Sequence, residues 1–139
     1  MTMAVILRRY RFTVDEYERL AEIGVPAHCD RVELLDGEIV EMSPIGTHHA
    51  SVVARVTSLF AKRLGERAII WVQNPIQLRP VHSMPQPDVT LLRPRADFYA
   101  DARPGAEDVL LLVEVMDTSR PASSSTAMSS RPRRCRTSA

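Results

Sequence analysis

Cysteine, lysine and long apolar runs are all scarce in this chain of 139 residues. The two cysteines, Cys29 and Cys135, lie more than a hundred positions apart in dissimilar surroundings. That spacing proposes neither a disulfide framework nor a clustered metal site, and two ordinary thiols are expected. The longest uninterrupted aliphatic run is Val109 to Val113, far short of the roughly 20 residues a membrane-spanning helix needs. Met3 to Leu7 is likewise too short for the core of a signal peptide, so a soluble, cytoplasmic protein is expected. From Thr118 onward there is no Asp or Glu and no Val, Ile, Leu, Phe, Trp or Tyr. A segment of that composition cannot bury enough apolar area to offset its ordering entropy, and the sequence predicts disorder over 118–139.

The remaining composition describes one domain, since the length is close to the roughly 150 residues a single domain takes. A formal net charge of +1 hides two different materials. Up to residue 117 the chain holds 13 basic and 17 acidic side chains, a net of −4, and the tail adds +5 through Arg120, Arg131, Arg133, Arg134 and Arg136. Five such charges would bind phosphates only nonspecifically.

Local patterns place the elements. Thr13-Val-Asp-Glu16 fits a capping box, followed by Tyr17, Leu20 and Ala21 at one-face helical spacing and stopped at Gly24. Residues 31–35 and 38–42 flank Asp36-Gly37, which supplies the positive φ angles of a type I′ turn. Pairing across that turn sets Leu34 opposite Ile39 and Glu33 opposite Val40. Gly46-Thr47 opens a long helix with an apolar stripe of His49, Val52, Val53, Val56, Leu59 and Phe60, ended by Gly65. Strands are predicted over 68–72 and 76–78, with Pro75 forcing an edge or bend between them. A proline-rich loop, 79–87, leads into a strand at 88–92 whose first residue is Asp88. Residues 93–108 read as connection, and Val109 to Val115 reads as a strand buried on both faces.

Two acids stand out on these strands. Asp88 begins one, and Glu114 breaks the apolar run of the other, where desolvation costs several kcal/mol unless something compensates. Two carboxylates at neighbouring strand ends repel unless a cation lies between them. Hard oxygen donors suit Mg²⁺ or Mn²⁺, which takes one or two protein carboxylates, waters and a substrate phosphate oxygen. Phosphodiester chemistry is what such a centre serves. The plainer readings are a turn-capping role for Asp88, an arginine ion pair for Glu114, a core histidine bonded to a backbone carbonyl for His49, and an edge-strand charge that deters aggregation for Glu33.

Arg31-Val-Glu-Leu-Leu-Asp-Gly-Glu-Ile-Val, Met42-Ser-Pro with Gly46 and His49, Gln86-Pro-Asp88, and Val113-Glu-Val115 followed by Thr118-Ser119 together resemble the Uma family of restriction-endonuclease-like proteins, in the PD-(D/E)XK nuclease superfamily. The resemblance covers residues 9–119 and leaves 120–139 as a basic tail. It implies an α/β fold, a mixed β-sheet core with flanking helices, incomplete at the C-terminus. It also implies Asp88 and Glu114 as ligands of Mg²⁺ or Mn²⁺, Glu33 and His49 as further site residues, and DNA as substrate. The superfamily's lysine, normally two residues after the glutamate, is Met116 here, and the helix that supplies an equivalent lysine in this family is missing. The only lysine is Lys62. Back-translation of 121–130 with permitted codons lets a shifted frame read Ser-Phe-Glu-Phe-Asp-Arg-Asp-Val-Lys, so a frameshift after Ser119 is expected to explain the tail. The sequence thus points to a metal-dependent DNA endonuclease of impaired activity. The alternative is an inactive remnant or interaction module of the same fold, one that dimerises through exposed sheet edges.

Overall fold

A computed structural model describes residues 8–26 and 31–116. Cys29, Cys135 and the tail expected to be disordered lie outside the described residues. Helix α1 (Val14–Glu22) starts where the capping box places it. Thr13 Oγ1 accepts from the Glu16 amide at 3.2 Å, and Glu16 Oε2 accepts from the Thr13 amide at 2.8 Å. Its buried residues are Val14 and Tyr17, whereas Ala21, expected on the same face, is exposed. The helix is only nine residues long, and its buried residues fall in its first half.

Strands β1 (Val32–Leu35) and β2 (Glu38–Glu41) form an antiparallel hairpin with the predicted register, Leu34 opposite Ile39 and Glu33 opposite Val40. Asp36 and Gly37 take φ +47° and +76°, as a type I′ turn requires. A Cβ on Gly37 would lie 2.7 Å from Arg11 Cβ. The chain before α1 crosses this turn closely, with the Phe12 amide bonded to Gly37 O at 2.9 Å. Val14, Tyr17, Leu34 and Met84 make the small core that joins α1, the hairpin and the loop before β4, flanked by Phe12, Val32 and Ile39.

Helix α2 (Thr47–Leu64) has the predicted bounds, with Gly46 and Gly65 at its ends. Of its apolar stripe only Val53 is fully buried, and Leu59 is 48% exposed. Strands β3 (Ile69–Val72), β4 (Val89–Leu92) and β5 (Val109–Val113) form a three-stranded antiparallel sheet in the order β3-β4-β5. The central strand β4 is buried throughout. The α/β class, sheets flanked by helices, is the one expected. Among the described residues the named strands pair antiparallel in two separate sheets, and the parallel contact is the bridge between Gln77 and Gly105.

Two strand expectations are corrected. Residues 76–78 are no regular strand; Gln77 and Leu78 make isolated bridges only, because Pro75 leads the chain away from the sheet. β5 is not buried on both faces: Leu110, Leu111 and Leu112 are 47%, 45% and 42% exposed. It pairs with β4 on one side, and among the described residues nothing pairs with the other. No helix among the described residues is long and apolar enough to cross a membrane.

Candidate active site

Asp88 directly precedes β4 and is buried, 8% exposed. Its carboxylate receives donors from three separate elements. His49, in the first turn of α2, places Nε2 2.7 Å from Oδ1. Since an ionised carboxylate only accepts, that ring nitrogen is the donor. Gln73, just past β3, donates from Nε2 to the same oxygen at 3.3 Å. The Val115 amide, just past β5, donates to Oδ2 at 2.8 Å. Burial pushes the Asp88 carboxyl up, but the donors from Val115, His49 and Gln73 outweigh it and hold the group below the ordinary carboxylate value. None of these partners is a neighbour in sequence, so Asp88 is not a local turn cap.

Glu114 follows the last residue of β5 rather than lying inside the strand, and it is exposed as a residue. The expectation of a charge deep in a buried strand is therefore corrected, because β5 is an edge. Its carboxyl is nonetheless pushed above the ordinary value, first by burial and then by the negative charge of Asp88, with Glu33 adding to it. Among the described residues no ion pair involves Glu114, so no arginine compensates it there.

Glu33 reaches the same region from the hairpin. Its Oε2 accepts from the Gln86 amide at 3.2 Å, while Gln86 Nε2 donates to Val32 O at 2.9 Å. Two bonds thus clamp the Gln86-Pro87-Asp88 segment to β1, and the Met84 amide bonded to Leu34 O at 2.7 Å extends the clamp. The fold brings together all four residues singled out from sequence: Asp88 touches His49, and Glu33 and Glu114 are electrostatically coupled around it. Gln73 and Gln86 were missed as site residues. Gln86 lies inside the Gln-Pro-Asp motif, and Gln73 in a polar Gln-Asn pair before Pro75 at a strand end, but only the tertiary contacts give either a role.

The donor set at this end of the sheet is made of oxygen donors, Asp88 with Glu114 and Glu33, and one imidazole, His49. Among the described residues no three His, Cys, Asp or Glu side chains close into a ligand cluster. A pair of carboxylates, Asp88 lowered by its donors and Glu114 raised by burial and then by Asp88, would fit Mg²⁺ or Mn²⁺, which take one or two protein carboxylates. Lys62 is not part of it: 13 residues beyond His49 along α2, it lies roughly 20 Å away at 1.5 Å per residue.

An α/β core whose sheet ends gather carboxylates in this way is that of a restriction-endonuclease-like protein. The family model Uma2, described as "Putative restriction endonuclease", matches residues 14–124, and the chain belongs to that family. No curated protein and no solved structure gives a match.

Proposed function

We propose that this chain is a metal-dependent DNA endonuclease domain in which Asp88 and Glu114 hold Mg²⁺ or Mn²⁺ and Glu33 and His49 complete the site. The observation that carries the reading is geometric: the buried Asp88 carboxylate is fixed through both oxygens by His49, Gln73 and the Val115 amide, and the last of these brings Glu114, the residue before Val115, to the same end of the sheet. Unbalanced negative charge at strand ends is a cost that binding a cation removes. When bound, the metal supplies Lewis acidity toward a phosphoryl oxygen and lowers the pKa of a water. The protein's part is positional. His49, Gln73 and the Val115 amide keep Asp88 ionised and fixed. A cation there would offset the burial and the repulsion from Asp88 that disfavour the charged form of Glu114. Gln86 holds Glu33 facing the pair.

One observation favours an impaired enzyme. Two residues after Glu114 stands Met116, 85% exposed, whose thioether can neither orient a water nor neutralise charge developing on phosphorus. Cation binding with little hydrolysis is the behaviour this composition supports. The β5 edge, unpaired among the described residues, also supports self-association into a homodimer.

The test is Mn²⁺ titration of the full chain by calorimetry, alongside nicking of supercoiled plasmid DNA. Saturable binding that Asp88→Ala abolishes and Glu114→Ala weakens supports the reading, and any nicking must disappear with Asp88→Ala. Binding indifferent to both substitutions would overturn it in favour of a metal-independent module.

A further inference from the structure

Gln73 directly follows β3 with φ +49°, a left-handed conformation that strains a side chain with a Cβ and that glycine adopts freely. Such strain persists where surrounding contacts over-determine it. At Gln73 the contacts converge on one residue. Its backbone N–H donates to Asp88 O at 3.2 Å, and its side-chain Nε2 donates to Asp88 Oδ1 at 3.3 Å. The backbone bond needs no glutamine, since glycine would make it without strain. The side chain is what the strained position gains.

We propose that Gln73 is a positioning residue for the cation site. It acts through Asp88, in a reading that rests on Asp88 being a metal ligand. His49 approaches Oδ1 from α2 and Gln73 approaches it from β3, so the carboxylate is fixed from helix and sheet at once, while Val115 fixes Oδ2 from the β5 side. Three donors take three of the roughly four lone-pair positions of the carboxylate, two on Oδ1 and one on Oδ2, so the position left for a cation is on Oδ2 and is fixed in direction. Without Gln73, Oδ1 keeps only the His49 donor, and the carboxylate is held by two donors instead of three, one on each oxygen. Gln73 also lines the groove between α2 and β3 beside Ala50, Val53 and Ala54.

Two substitutions separate this role from a purely structural one. Gln73→Gly removes the donor and relieves the strain; Gln73→Met removes the donor and keeps both length and strain. Mn²⁺ affinity of the full chain is measured by the loss of the free-ion electron paramagnetic resonance signal, and thermal unfolding is followed in chelator, with wild type and Asp88→Ala as references. Both Gln73 variants are expected to bind Mn²⁺ about tenfold more weakly, the lower end of what outer-shell partners of metal ligands contribute. Gln73→Gly should unfold at the same temperature as wild type or above it, and Gln73→Met at or below it. Wild-type affinity in both variants, with Asp88→Ala still defective, overturns the role of Gln73 and leaves the metal site standing. Affinity that follows stability, rising in the glycine variant and falling in the methionine variant, overturns it as well. Wild-type protein without Asp88-dependent Mn²⁺ binding overturns the metal reading itself and this inference with it.

Discussion

The carboxylate of Asp88 accepts the backbone N–H of Val115 across 27 residues of sequence, at 2.8 Å. That bond draws the end of β5 against the start of β4 and sets Glu114 beside Asp88. The two acids are thus held close by a backbone contact although their charges repel.

Substituting Glu114 tests that conflict. Its carboxyl is raised by burial and by Asp88, so the folded state prefers it protonated; the penalty is present above the raised value and fades as pH falls through it. Glu114→Gln should therefore raise the metal-free stability at pH 7. Because the group is partly solvated, the gain should be at most about 0.5 kcal/mol. The same variant should lose most of the stabilisation that saturating Mn²⁺ gives the wild type, which reaches about 2.7 kcal/mol at a concentration of 100 Kd. Differential scanning calorimetry with and without Mn²⁺ checks both signs.

Asp88 should behave in the opposite sense. Its carboxyl is lowered by donors that outweigh burial, so its contribution is present above the unfolded carboxylate pKa and is lost as pH falls through the folded one. Asp88→Ala strands the Val115 amide, His49 and Gln73, and should cost about 2 kcal/mol at pH 7. Urea denaturation across pH 7 to pH 3 should show the gap between wild type and variant closing at the acid end.

On the nuclease reading, Met116→Lys should add a charged group that the methionine side chain cannot supply. The position follows Val115, whose amide already touches Asp88, and its 85% exposure leaves room for a longer side chain. Plasmid nicking with Mn²⁺ should rise at least about tenfold, in line with adding one charged group at a phosphoryl-transfer centre. No gain at unchanged Mn²⁺ affinity would count against Met116 occupying the position of a catalytic lysine.

The exposed strand β5 predicts concentration-dependent self-association. Leu110, Leu111 and Leu112 present an apolar edge without a charged side chain, the kind of edge that natural sheets interrupt with lysine. Leu111→Lys should shift sedimentation profiles toward monomer while leaving Mn²⁺ binding in place.

Much of this arrangement is legible in the residues because it is locally encoded. Thr13 and Glu16 specify a helix start whatever surrounds them, and Asp36-Gly37 fixes the hairpin register, which alone decides that Glu33 opposes Val40. Gly46 and Gly65 bound α2 in the same way. What escaped depends on neighbours. The run Val109 to Val113 reads as a central strand, but strand order is set by pairing, and at the margin of the sheet the same residues are half exposed. Gln73 carries no periodic signal; its role exists only because β3 and β4 meet in the register that puts it beside Asp88.

Glu33, Asp88 and Glu114 arrive on three stretches of chain separated by 55 and 26 positions, and clamps across those gaps, Gln86 to Glu33 and Val115 to Asp88, hold them together. Each clamp closes a long loop, so the centre costs chain entropy to assemble and has no local nucleus of its own. No excised peptide can carry it. Occupancy by a cation would consequently report on the integrity of the whole chain from hairpin to β5, making metal affinity as much a gauge of folding as of chemistry.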